Sequence, residues 1–274
     1  MGHTIWVIGG DARSYWTAQV LKASRLHVIT HDVPGADMNA LNDEIEIAVL
    51  PFPSFQGALI RGHNAVPIAD FLARLCRKSY VFGGLFGDWK ASFADRDISA
   101  FDLYGSEPMT TANACLTAEG AIQLAMEQSS ISLHDAKCLV IGYGRIGKCL
   151  SKMLQGLSAS VTVAARKPAD RAIAEALGFQ SEQTAVYLHG LRQYDFIFNT
   201  VPAEIISESQ LALISSDCIL IDLASRPGGF SAKRCKELGL NFIPAPGLPG
   251  RYSPKTAGIF YAQSILSILN QEGV

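Results

Sequence analysis

The stretch Cys138-Leu139-Val140-Ile141 followed by Gly142-Tyr143-Gly144-Arg145-Ile146-Gly147 constrains this chain more than any other feature. Four apolar residues read as a buried strand, and the G-x-G-x-x-G spacing opens a helix expected over residues 148–157. Gly142 permits a tight turn, Gly144 lets the backbone approach a pyrophosphate, and Gly147 lets helix and strand pack closely. The helix N-terminus then points N–H groups and partial positive charge at phosphates. A second apolar strand, Val161-Thr162-Val163-Ala164, follows at the distance of a βαβ unit. The glycines alone are a weak signal; in this setting they predict a dinucleotide-binding Rossmann domain.

The N-terminal half opens in the same way. Ile5-Trp6-Val7-Ile8 runs into Gly9-Gly10-Asp11-Ala12-Arg13, a helical stretch to about Ala23, and the strand His27-Val28-Ile29-Thr30. Further strands are expected at Ile45-Glu46-Ile47-Ala48-Val49-Leu50, Tyr80-Val81-Phe82, Phe196-Ile197-Phe198-Asn199-Thr200, Cys218-Ile219-Leu220-Ile221-Asp222 and Asn241-Phe242-Ile243. Strands alternating with helices predict an α/β chain of two doubly wound Rossmann-like domains with parallel sheets. Residues 111–128 read as a long helix bridging the two. By fold analogy the last helix, residues 256–269, is expected to pack back on the first domain. The expected division is a substrate and catalytic domain at residues 1–130, completed by residues 256–274, and an NADP-binding domain at residues 131–255.

With 274 residues, 49% hydrophobic and 18% charged, the chain has core material for two domains. A net charge of −2 supplies no basic field for nucleic acid or an anionic membrane, so an anionic ligand needs a local cation cluster. No apolar run reaches the length of a membrane span. The strand-like start leaves no room for a signal peptide, and a cytoplasmic protein is expected. The six cysteines, Cys76, Cys115, Cys138, Cys149, Cys218 and Cys235, form no C-x-x-C pair and read as reduced thiols. His3, His27, His31, His63, His134 and His189 show no ligand spacing, so no metal is expected. His63 is a weak acid/base candidate that reads first as a surface imidazole.

Selectivity between dinucleotides is set about 20 residues past the loop, where NAD enzymes place an acid on the ribose. Here the strand ends in Ala164-Ala165-Arg166-Lys167 with no carboxylate. Arg166 can pair with a 2′-phosphate while stacking on adenine, and Lys167 adds charge. NADP(H) is therefore expected over NAD(H). Thr200-Val201-Pro202 either borders the nicotinamide ribose or is only a strand-to-helix turn.

Other residues suggest a site for an anionic substrate. Arg13 stands at a helix start where it can bind a carboxylate. Glycine at Gly83-Gly84-Leu85-Phe86-Gly87 indicates close approach by a ligand or by the other domain, or tight turning alone. Ser225 and Arg226 follow the fifth strand of the second domain and are expected to face a cleft between the domains. Tyr252, Ser253, Lys255 and Thr256 stand at the mouth of the last helix. Taken singly, each reads first as structural; their convergence on one edge favours a site.

Several of these segments resemble one family, the A subunit of dipicolinate synthase from spore-forming bacteria. They are Gly9-Gly10-Asp11-Ala12-Arg13, Thr117-Ala118-Glu119-Gly120-Ala121-Ile122, the loop at residues 142–147, Leu223-Ala224-Ser225-Arg226-Pro227-Gly228-Gly229, Pro246-Gly247-Leu248-Pro249-Gly250 and Ser253-Pro254-Lys255-Thr256-Ala257-Gly258. They span the chain, and the last two separate this family from other dehydrogenases. The aromatic loop Pro51-Phe52-Pro53-Ser54-Phe55 departs from the pattern. The resemblance implies an NADP-dependent oxidoreductase subunit that converts a cyclic lysine-pathway dicarboxylate, dihydrodipicolinate or its hydrated precursor, to dipicolinate. It implies a partner, the flavoprotein B subunit, together with a homo-oligomer and the mother cell of a sporulating bacterium. Two carboxylates call for cationic clamps, for which Arg13, Arg226 and Lys255 are the candidates. Ser225, Ser253 and Thr256 would be neutral donors, and Tyr252 or water would move the proton. Two alternatives stay open: a regulatory NADP-binding subunit beside a flavin oxidase, or a dehydratase that transfers no hydride.

Overall fold

The computed structural model describes residues 3–41, 44–184 and 190–274. The chain forms two compact units, Met1–Asn113 with Tyr252–Val274, and Ala114–Arg251. Of the six histidines, His189 lies outside the described residues.

In the first unit, β1 (Thr4–Ile8) leads through Gly9 and Gly10 into α1 (Ala12–Ala23), whose N-cap Asp11 accepts from the Arg13 backbone N–H. There follow β2 (His27–His31), β3 (Ile45–Val49), a small hairpin of β4 (Phe55–Gln56) and β5 (Leu59–Ile60), α2 (Ile68–Ala73), β6 (Leu75–Gly83), α3 (Trp89–Ala94) and β7 (Ser99–Asp102). The sheet is parallel with order β2-β1-β3-β6-β7. Its faces are filled by Ile5, Val7, Ile47, Val49 and Phe82 on one side and Trp6, Ile8, Ala48 and Val81 on the other, the alternation a strand covered on both faces requires.

α4 (Glu107–Gln128) then carries the chain into the second unit. This consists of β8 (Lys137–Ile141), α5 (Arg145–Gly156), β9 (Ser160–Ala164), α6 (Pro168–Ala176), β10 (Gln180–Glu182), β11 (Phe196–Asn199), α7 (Glu208–Leu211), β12 (Ile219–Asp222), α8 (Ala232–Glu237), β13 (Asn241–Pro244) and α9 (Leu248–Tyr252). Its parallel sheet has the order β10-β9-β8-β11-β12-β13, which counted within the unit is the 3-2-1-4-5-6 order of a dinucleotide-binding Rossmann sheet.

The last helix, α10 (Pro254–Glu272), returns to the first unit and packs along α1. Gly258 makes this close: a Cβ there would lie 2.6 Å from the Arg13 carbonyl oxygen and 2.7 Å from Trp16 Cβ. Buried Tyr261 donates its hydroxyl to the Leu50 carbonyl at 2.9 Å, and burial pushes that hydroxyl far above its ordinary pKa. The helix ends at Gly273, in the left-handed conformation with φ +75°.

The two doubly wound sheets and the returning helix match the expectation, with three differences. The bridging helix starts at Glu107 instead of residue 111, and the division falls inside it, after Asn113, instead of near residue 130. A continuous helix carries no local mark of where one core ends. β7, β10 and the β4–β5 hairpin are additions: these are two- to four-residue strands, too short for a periodic signal.

Candidate functional site

In the second unit the strand order reverses between β8 and β11, the switch point at which such sheets bind ligands. The glycine loop sits there, and each glycine has a separate reason. Gly142 has φ +94°, and a Cβ would lie 2.3 Å from Thr200 Oγ1. A Cβ on Gly147 would lie 2.1 Å from the Gly142 carbonyl oxygen. At Gly144, the exposed N-cap of α5, a Cβ meets nothing within 4 Å. The turn is thus closed by Gly142 and Gly147 and open over Gly144, the shape a pyrophosphate needs. Arg145 and half-buried Ile146 begin the helix. Tyr143 turns inward instead, 5% exposed, edge-on to Phe179, so its ring belongs to the core.

Beside the loop, β9 is followed by buried Ala165 and exposed Arg166 and Lys167. Arg171, which belongs to no motif in the sequence, reaches back from α6: its Nη1 donates to the carbonyls of Ala165 and Arg166, each at 3.0 Å. Three cations therefore cluster where an NAD enzyme would carry its acid. No local pattern marked Arg171, since the contact forms only where α6 folds back over the end of β9.

On the other side of the switch point, Thr200 Oγ1 donates to the Ile141 carbonyl at 2.9 Å, tying the loop after β11 to the end of β8. Val201 is half-buried and Pro202 exposed. Ser225 and Arg226 lie exposed on the loop after β12, at the same sheet edge. A roomier apolar hollow of about 610 Å³, lined by Ile122, Met126, Met153 and Leu157, lies at the C-terminal end of α5. It is at the wrong end of the sheet and contains no cation.

In the first unit the order reverses between β1 and β3. A cavity of about 390 Å³ opens there, lined among others by Gly10, Asp11, Arg13, Pro51, Arg61 and His63. Arg13 is already engaged. Its Nε lies 2.9 Å from Asp11 Oδ1, and its Nη2 lies 2.7 Å from Asp11 Oδ2. Burial would raise the Asp11 carboxyl, but hydrogen bonds and charge from Arg13, with a smaller contribution from Arg61, outweigh it and hold the carboxyl below its ordinary value. The Gly10 N–H, which in a dinucleotide loop would face phosphate, donates to the Arg61 carbonyl at 2.7 Å. Asp32, at the end of β2 where a ribose acid would stand, accepts from the Asn64 N–H at 2.8 Å.

The remaining glycine loop of this unit packs on protein, not on a ligand. A Cβ on Gly83 would strike Phe86 and Ser54, and one on Gly84 would strike Phe52. Among the described residues, no three His, Cys, Asp or Glu side chains group to hold a metal. No helix of the described residues is long and apolar enough to cross a membrane.

Residues 102–227 match the family described as D-isomer specific 2-hydroxyacid dehydrogenase, NAD binding domain, a span that contains the glycine loop, Arg166, Thr200 and Arg226. The whole chain is similar to the A subunit of dipicolinate synthase of Bacillus subtilis (strain 168), 27% identical over 285 residues, covering 98% of this chain and 96% of that protein. The crystal structure of the A chain from Bacillus subtilis superposes with a TM-score of 0.86 at 26% identity, covering 99% of this chain and 97% of that one. That of the A subunit from Bacillus halodurans gives 0.89 at 24% identity, covering 98% of each. Over essentially its whole length the chain is thus similar to dipicolinate synthase A subunits. A nicotinamide dinucleotide is the cofactor class this domain binds.

Lys255 Nζ stands 4.9 Å over the Trp16 ring on α1, a cation–π contact. Ser253 is the N-cap of α10 without a side-chain capping bond, Thr256 is exposed, and Tyr252 closes α9 half-buried. Arg13 and Lys255 thus both have partners within the first unit, whereas Arg226 stands exposed in the second.

Proposed function

We propose that this chain is the NADP-binding oxidoreductase subunit of a dipicolinate synthase, acting on dihydrodipicolinate or its hydrated precursor to give dipicolinate. The observation that carries this reading is the end-to-end likeness to dipicolinate synthase A subunits together with a dinucleotide loop whose glycines are each sterically required or open. The open backbone at Gly144 and the N-terminus of α5 hold the pyrophosphate. Arg166 and Lys167, with Arg171 bracing the turn, meet the 2′-phosphate and select NADP over NAD. Thr200, Val201 and Pro202 border the nicotinamide ribose. Ser225 and Arg226, on the same sheet edge, donate to the substrate at that end. When bound, the nicotinamide supplies the acceptor for hydride.

From dihydrodipicolinate the reaction is formally the loss of two hydrogens, one leaving as hydride and one as a proton to Tyr252 or water; the hydrated precursor loses a molecule of water in addition. Aromatisation favours that loss, so the protein has mainly to position the ring and compensate its carboxylates. The A-type designation of the relatives points to a B partner, taken to be a flavoprotein, and self-association is expected as well. The chain works in the cytoplasm of the mother cell of a sporulating bacterium, without nucleic acid or membrane.

A second reading, in which this chain binds NADP but only regulates or dehydrates while the flavin partner oxidises, is favoured by one observation. Among the described residues no histidine–carboxylate hydrogen bond lines the first unit's cavity. Absorbance at the nicotinamide band, with NADP⁺ and freshly made cyclic precursor, separates the two. NADPH formed by this chain without its partner establishes the dehydrogenase. No NADPH with or without the B subunit, despite NADP⁺ binding, eliminates it.

A further inference from the structure

The cavity at the first unit's switch point carries four ionisable side chains, Asp11, Arg13, Arg61 and His63. Asp11 and Arg13 neutralise one another through their forked contact. Arg61 makes no side-chain hydrogen bond among the described residues, so the cavity retains a positive charge that an anion would compensate.

Its backbone, by contrast, is fixed. The Arg61 N–H donates to the Ser54 carbonyl at 3.0 Å, and its carbonyl accepts from Gly10 at 2.7 Å. Gly62 follows against Asp32, where a Cβ would lie 2.1 Å from Oδ2, and Asn64 donates twice to the same carboxylate. A guanidinium presented from a pinned backbone loses less freedom on binding than one on a loose loop. The same contacts occupy the Gly10 N–H, removing a backbone donor that would cradle a dinucleotide phosphate. What remains is side-chain recognition of a small anion, in a volume within the roughly 300–1,000 Å³ of small-molecule sites.

We propose that Arg61 is the guanidinium that binds a substrate carboxylate in this cavity, with His63 as a second donor, and that Arg13 is a positioning residue held by Asp11. The proposal rests on the dicarboxylate reading above and names its anchoring group.

The test is calorimetric titration of the full-length protein, with NADP⁺ present, using pyridine-2,6-dicarboxylate, pyridine-2-carboxylate and inorganic phosphate as probes. The expected result is that the dicarboxylate binds the unaltered protein and that Arg61→Ala weakens it at least tenfold. Arg61→Lys should recover part of the loss, keeping the charge but not the fork. Melting temperature and NADP⁺ affinity should stay unchanged in both variants. Equal dicarboxylate affinity in Arg61→Ala would overturn the assignment and leave the dicarboxylate reading standing. Failure of the unaltered protein to bind either pyridine carboxylate would overturn both. Phosphate binding as tight as the dicarboxylate would make this a general anion site and overturn the carboxylate assignment alone.

Discussion

Asn199 and Asp222, buried at the ends of adjacent parallel strands, meet through a 2.8 Å hydrogen bond from Asn199 Nδ2 to Asp222 Oδ1. Each also holds a loop. Asn199 Oδ1 accepts from the Val201 N–H at 3.1 Å, and Asp222 Oδ2 accepts from the Gly229 N–H at 2.8 Å. Gly229 has no room for a side chain, since a Cβ would lie 2.2 Å from Asn199 Nδ2. One buried pair therefore fixes both loops at the carboxyl ends of β11 and β12. Asp222→Ala is expected to destabilise the protein by about 3 kcal/mol, at roughly 1–3 kcal/mol per orphaned buried donor. Urea unfolding measures this, and a loss near zero would mean that water replaces the carboxylate.

Gly144 and Gly142 should respond differently to the same added methyl. Gly144→Ala has open space on the protein side and ordinary negative φ, so its melting temperature should hold while dinucleotide binding collapses. Gly142→Ala meets Thr200 and Val201 at a left-handed φ and should lose stability as well. Thermal melts beside cofactor fluorescence separate the two. Normal binding by Gly144→Ala would remove the pyrophosphate role from this loop.

Arg166→Ala should cost NADP⁺ affinity about ten- to a hundredfold, the range of a charge-assisted hydrogen bond worth about 1.5–3 kcal/mol. Affinity for NAD⁺, which has no 2′-phosphate, should change little. Parallel titrations with both dinucleotides decide the matter, and an equal loss for the two would point to adenine stacking instead.

Acid stability should carry the mark of Asp11. Its carboxyl titrates below its ordinary value of 3.8 in the folded chain, so the unfolded chain binds the proton more tightly. The stabilisation is complete above that ordinary value and fades as pH falls through the lower folded one. Relative to Asp11→Asn, the unaltered protein should lose its advantage on that acid limb. Parallel unfolding midpoints from neutral pH down to about pH 3 would contradict this coupling.

Cys115 on α4 and Cys149 on α5 bring their Sγ atoms to 3.1 Å as free thiols. Burial first, then the neighbouring thiol, pushes Cys149 up to about 11, so little of it is thiolate at neutral pH. A mild disulfide-forming oxidant should therefore remove one pair of titratable thiols slowly at neutral pH and faster in alkali. Cys149→Ser should abolish that loss. A thiol count unchanged by the oxidant at high pH would show that the helices cannot close the bond.

Local signals carried much of this protein in the chain itself. The apolar strand, the glycine spacing and the following helix at residues 138–157 are contiguous, and the clash that excludes a side chain at Gly147, against the Gly142 carbonyl, lies within the same βαβ unit. The last helix is also legible, from its long apolar stretch after a run rich in Pro and Gly, whereas its return to the first unit was an expectation from fold analogy. Even the engagement of Arg13 had a sequence trace, because its partner Asp11 is only two residues away.

Other features had no local trace. Arg61 reads as one more arginine in a polar turn until the β4–β5 hairpin sets its carbonyl on Gly10, a contact between residues far apart in sequence. Arg171 joins Arg166 only because α6 folds back over the end of β9. Asn199 and Asp222 read as strand-end polar residues until parallel pairing sets them side by side. Helix and strand periods are written in neighbouring residues, so the sequence by itself determined the elements and the dinucleotide loop. Which charges neutralise each other and which remain for a ligand depends on distant segments meeting, and that only the tertiary structure decided.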